Sequence, residues 1–142
     1  MFAAFPLLAL PVLAYNLMAL SFPGGFHAVD ASPRLTQPLF SIAMTSRTQW
    51  PVSLGDIMLT ASLVVLFIEL LKSTASHRVA IVNHALSMML FVACLVEFLL
   101  APAFATSTFF LLSLMVVLDV LAGFIVTIAS SRRDIDLTSD RS

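Results

Sequence analysis

The chain has 142 residues and a formal net charge of −1, is 60% hydrophobic and only 11% charged, and has a mean hydropathy of +1.04. An ordinary soluble domain is about one quarter charged, so this is a membrane composition. Several spans of about 20 residues would use more than half of the chain and leave no room for a separate soluble domain. The basic residues stand singly or in one pair, which excludes an electrostatic footprint for nucleic acid.

Met1 to Leu20 is apolar apart from Tyr15 and Asn16, contains Pro6 and Pro11, and has no Lys or Arg ahead of its apolar part. A secretory signal begins with positive charge, so the stretch reads as a first span over about residues 2–20, kinked or loosened near its prolines. Ser21 to Val52 is the long polar segment, broken at Pro23-Gly24-Gly25, Ser32-Pro33 and Gln37-Pro38. Within it Leu39, Phe40, Ile42, Ala43 and Met44 are too few to cross a bilayer and read as a short interfacial helix. Trp50 follows where an interfacial aromatic is expected.

Ser53 and Asp56 have the spacing of a capping box, which starts a second span over about 54–71. Its acidic residue, Glu69, stands three positions before Lys72 on a helix surface where the two are neighbours. The short connection from Ser73 to Arg78 makes this span an antiparallel hairpin with the third, over about 79–100. Ala101-Pro102-Ala103 breaks the chain again, and a fourth span follows over about 106–129 with Asp119 near its middle. Residues 135–142 read as a flexible polar tail. The expected architecture is one all-α membrane domain over 1–134, four transmembrane helices in an antiparallel bundle with a long first external loop.

Orientation follows from the basic residues. Lys72, Arg78, Arg132, Arg133 and Arg141 fall on one face of a four-span topology and only Arg34 and Arg47 on the other. Both termini are therefore expected in the cytoplasm of a bacterium, with the chain multi-pass in its inner membrane.

The third span carries Asn83, His84, Ser87, Cys94 and Glu97. At about 100° per residue, with Asn83 as zero, Ser87 lies near +40°, Leu90 near −20°, Cys94 near +20° and Glu97 near −40°, with His84 to the side. Lipid does not tolerate such a stripe, so it must face other helices, either as an interhelical seam of small and polar groups or as a functional pathway. Glu69 and His84 both lie about 8 to 9 Å to the cytoplasmic side of their spans' midpoints, level enough to pair as a hairpin clasp or as part of a proton relay. Lys72 competes for Glu69. Glu97 lies about 11 Å toward the outer side and Asp119 within about 2 Å of the midplane. A central Asp must be protonated, paired or facing water. Gly123, one turn on from Asp119, permits close helix approach, and Asn16 is a candidate partner for the acid.

Cys94, inside a span and the only cysteine, has no intramolecular disulfide partner. A bis-His haem within the bundle, a zinc cluster, a P-loop and the hydrolase motifs are all missing from the pattern, so neither metal nor cofactor is expected and the chain does not read as an enzyme.

The runs Phe67 to Lys72, Asn83 to Ser87, Glu97 to Leu100 and Asp119 to Phe124 resemble those of small four-span bacterial inner-membrane proteins of uncharacterised function. That resemblance covers about Trp50 to Asp134 and implies location, not activity. Small multidrug resistance transporters are also short and four-span, but their defining acid belongs in the first span, where this chain has Tyr15 and Asn16. The small three-span subunit of bacterial respiratory complex I carries glutamates on adjacent helices, as Glu69 and Glu97 are here; the extra span, the long loop and the opposite depths of the two acids depart from it. Beyond the lipid bilayer itself, the expected partner is another membrane protein or a second copy, with the chain acting as a structural or accessory subunit through helix faces. The alternative is a small proton-coupled transport or conduction component using Asp119, His84, Glu69 and Glu97, in which Asn83, Ser87, Cys94 and Gly123 supply the packing seam.

Overall fold

A computed structural model describes residues 5–73 and 77–139. Residues 2–4 of the expected first span, 74–76 of the second connection and 140–142 of the expected tail lie outside the described residues.

The first apolar helix, α1, covers Ala9–Ser21 rather than the whole of 2–20. The prolines decide this. Pro11 stands in the first turn, where its missing N–H is not needed, and the Pro6 carbonyl accepts the Ala9 N–H at 3.1 Å just before the helix begins. The helix ends where Phe22 turns extended ahead of Pro23 and Gly24, whose φ of +92° suits glycine. A short helix, α2 (Ala31–Thr36), follows, with Arg34 bonded to Asp30 at 2.9 Å. Hydrogen bonds from Arg34 hold the Asp30 carboxyl below its ordinary range.

The expected interfacial helix is replaced by an antiparallel β-hairpin of β1 (Pro38–Ala43) and β2 (Gln49–Ser53), so the chain is mostly helical rather than all-α. The reason is a period of two: Phe40, Ser41 and Ile42 alternate, as do Trp50, Pro51 and Val52, and aromatic and β-branched side chains suit a pleated surface. Phe40 is opposite Val52 and Ile42 opposite Trp50, which places these four on one face. Ser41, Pro51, Ala43 and Gln49 make the other. Arg47, at φ +66°, closes the tip.

The capping box forms as read. The Ser53 Oγ accepts the Asp56 N–H at 3.2 Å and an Asp56 carboxylate oxygen accepts the Ser53 N–H at 2.9 Å. Helix α3 (Leu54–Ser73) starts there, followed by α4 (His77–Leu100) and α5 (Ser107–Ser139). Thr106 caps α5 by accepting the Phe109 N–H at 3.1 Å. With no Gly or Pro after Gly123, α5 runs on to Ser139, so the expected tail is helical as far as it is described. Among the described residues, three helices are long and apolar enough to cross a membrane, over Leu54–Lys72, Val82–Leu100 and Ser107–Ile125. At 13 residues α1 is apolar but spans only about 20 Å.

Burial is inverted relative to a soluble domain. Glu69, Asn83, Ser87 and Asp119 are buried, while Leu13, Leu17, Phe67, Met89 and Leu99 are exposed. The apolar core sits where α1 meets the start of α5: Tyr15, Phe104 and Phe109 pack in tilted and edge-on contacts with ring centroids 4.7 to 5.4 Å apart. The Tyr15 hydroxyl bonds the Ala103 carbonyl at 3.0 Å and the Thr106 hydroxyl at 2.6 Å. Close approach of α3 to α5 and α2 requires Gly55, where a Cβ would lie 2.7 Å from Thr108 Oγ1 and 3.2 Å from the Leu35 carbonyl. Gly55→Ala is expected to destabilise the protein by about 1 to 3 kcal/mol through overpacking, read as a lower thermal midpoint in detergent; an unchanged midpoint would show that the helices can separate at this point without cost.

Candidate functional site

The polar side chains form three separate nodes, each where α4 meets a different helix. The first is built on Glu69, whose residue is 0% exposed. One carboxylate oxygen accepts Asn83 Nδ2 at 2.6 Å and lies 3.0 Å from Lys72 Nζ. The other accepts the Leu7 backbone N–H at 2.7 Å and Lys72 Nζ at 3.2 Å. Lys72 also donates to the Phe5 carbonyl at 2.6 Å. The acid thus has a cation, an amide and a backbone donor, the arrangement that makes a buried carboxylate tolerable.

The expected pairing of Glu69 with His84 does not form. Adjacent residues on a helix point about 100° apart, so only one of Asn83 and His84 can face Glu69. Asn83 does. His84 turns to α5, where a Cβ on Gly123 would lie 2.8 Å from His84 Nδ1, and its ring centroid is 6.5 Å from that of Phe124. Gly123 therefore provides the close approach expected of it, and its neighbour across the interface is His84.

The second node joins α4 to α5: Ser87 Oγ donates to an Asp119 carboxylate oxygen at 2.5 Å, with Ser87 1% and Asp119 4% exposed. Asn83 and Ser87 are one helical turn apart, so the first two nodes are adjacent along α4. Two buried atoms beside them, Asn83 Oδ1 and His84 Nδ1, have no hydrogen-bond partner among the described residues. The third node is Glu97, which accepts Asn16 Nδ2 at 3.3 Å. Asn16 is thus the partner of Glu97 and not of Asp119, because α1 lies level with Glu97 at this point. Cys94 is a free, fully buried thiol between the nodes.

The stripe from Asn83 to Glu97 does face other helices, but it divides its bonds among α3, α5 and α1. Sequence reasoning missed the backbone groups of Phe5 and Leu7, which carry no side-chain signal, and the bond from Tyr15 to Thr106. A lone Tyr–Asn pair in an apolar run is the signal that would have found the last and the Asn16 contact. Among the described residues, no three of His, Cys, Asp and Glu converge on a possible metal position. Chemically, the Glu69 carboxylate is matched by a cation, an amide and a backbone donor, whereas among the described residues Asp119 and Glu97 each have one hydrogen-bonded side-chain partner.

Glu69→Ala is expected to cost about 3 to 5 kcal/mol, because it leaves the Lys72 cation, the Asn83 amide and the Leu7 N–H without their acceptor. Asp119→Asn, which keeps an acceptor for Ser87, is expected to cost less than about 1.5 kcal/mol. Thermal midpoints in one detergent check the ranking, and equal losses would contradict it. No family model, curated protein or solved structure matches the chain.

Proposed function

We propose that the chain is a four-pass protein of a bacterial inner membrane, an antiparallel bundle with both termini cytoplasmic, and that it serves as a non-catalytic structural or accessory subunit bound to another membrane protein or to a second copy. Three features support the topology. Three helices have the length and composition of spans. Leu7 is bonded to Glu69 near the end of α3, and Tyr15 to Ala103 and Thr106 beyond the end of α4, so the stretch from Leu7 through α1 is fastened to the three long helices at two separate levels. The basic residues then fall mainly on the side of the termini.

The observation that carries the subunit reading is the hairpin. Phe40, Ile42 and Trp50 stand together on one face and are 51%, 43% and 51% exposed. An isolated two-stranded hairpin is marginal in water and leaves both edges open, so a one-sided apolar face of this kind gains stability when something covers it. The Glu69 clasp supports the same reading, since a buried carboxylate matched within the chain holds the helices together and leaves recognition to the outer faces. A photo-crosslinking residue at Ile42 is expected to give one discrete protein adduct in cells, lost on Phe40→Ser with Trp50→Ser. No protein adduct at this position would overturn the reading.

A second reading, proton-coupled transport or conduction through Asp119 with His84 and Glu69, is favoured by the unpartnered Asn83 Oδ1 and His84 Nδ1 next to the Ser87–Asp119 bond. Proton flux in proteoliposomes separates the two. A subunit gives no flux with either the natural chain or Asp119→Asn; a conductor gives flux that the substitution abolishes.

A further inference from the structure

Between α1 and α4 runs an open groove of about 540 Å³ whose walls include Leu13, Leu17, Leu90 and Ala93 and whose lining reaches from Phe5 to Leu20. The part of this lining that lies on α1, Ala9 to Leu20, is about 17 Å of helix, roughly half of the hydrocarbon thickness. The walls are apolar, with one exception: Asn16 and Glu97 sit together in the lining. Glu97 is only partly buried, and among the described residues its carboxylate receives one hydrogen bond, from a neutral amide. The described cations whose side chains are placed are elsewhere: Lys72 is on Glu69, Arg34 on Asp30, and Arg47 at the hairpin tip. A carboxylate in an apolar groove with no counter-ion among the described side chains can be met by a cation supplied from outside the chain.

The volume limits what can supply it. The cavity lies within the range of about 300 to 1,000 Å³ that holds single small ligands. We infer that the groove is a lipid site: one acyl chain of an ammonium-bearing phospholipid of the ethanolamine type lies between α1 and α4, and its headgroup ammonium pairs with Glu97, oriented by Asn16. Glu97 is three residues from the end of α4 at Leu100, so its side chain is about 5 Å of helix rise from the interface where such headgroups lie. The inference rests on α1 lying in the bilayer, as proposed above.

Native mass spectrometry of the full chain, released from micelles containing equal amounts of phosphatidylethanolamine and phosphatidylcholine with identical acyl chains, tests it. The natural chain is expected to retain one ethanolamine lipid with roughly fivefold preference, because both headgroups are cationic but only the ethanolamine ammonium has N–H groups to donate to Glu97, choline being fully methylated. Glu97→Gln is expected to bind the two lipids equally, and Ala93→Phe, which fills the groove and leaves Glu97 intact, to lose both. Equal retention by the natural chain, a preference that survives Glu97→Gln, or a lipid-free dimer would each overturn the site. An export-dependent reporter inserted at Arg34 tests the topology independently, so a chain that crosses as proposed but shows no preference refutes the lipid site alone.

Discussion

The structure depends on the buried carboxylate of Glu69. A charged acid in a medium of low dielectric is tolerated only when its lone pairs are matched, and here they are met by Lys72, Asn83 and the Leu7 N–H. These donors come from three different parts of the chain: the last turn of α3, the start of α4 and the residues ahead of α1. One side chain therefore fixes the relative positions of three segments. The position of α1 follows, since the Phe5 carbonyl is held by Lys72 at one end and Asn16 by Glu97 further along.

That fastening explains how a helix interrupted by prolines keeps its place. Pro6 and Pro11 prevent helix from extending back through Phe5, and the backbone groups freed there are the ones that Glu69 and Lys72 take up. Toward the other end, the Tyr15 hydroxyl and the ring cluster of Tyr15, Phe104 and Phe109 hold α1 against the connection into α5. The apolar core is thus concentrated at the end opposite the ionic clasp. Between them α4 turns its polar groups inward one turn at a time, and Gly123 and Gly55 remove the side chains that would hold the helices apart.

The outer surface divides the remaining roles. Most of it is aliphatic and has the character of a lipid contact. Two places differ: the hairpin, apolar on one face and joined directly to the start of α3, and the groove between α1 and α4, where a partly exposed acid interrupts an apolar wall. Both differ from plain lipid-facing helix in combining apolar area with a definite shape, and shape is what recognition of a particular partner or lipid requires.

Much of this was legible in the amino-acid order. The apolar runs, the capping box at Ser53 and Asp56, and the inward stripe of Asn83, Ser87, Cys94 and Glu97 follow from composition and a period of 3.6, which are local properties. The hairpin was legible in principle, since Phe40-Ser41-Ile42 and Trp50-Pro51-Val52 alternate, but each run is too short to be told from an interfacial helix without its partner strand. The pairings were not legible. Asn83 rather than His84 meets Glu69, Asn16 meets Glu97 rather than Asp119, and Leu7 offers a bare N–H. Sequence determines which groups must be shielded from lipid, because that cost belongs to each side chain alone. Which group shields which depends on helix rotation and relative height, and those are set only when whole helices pack.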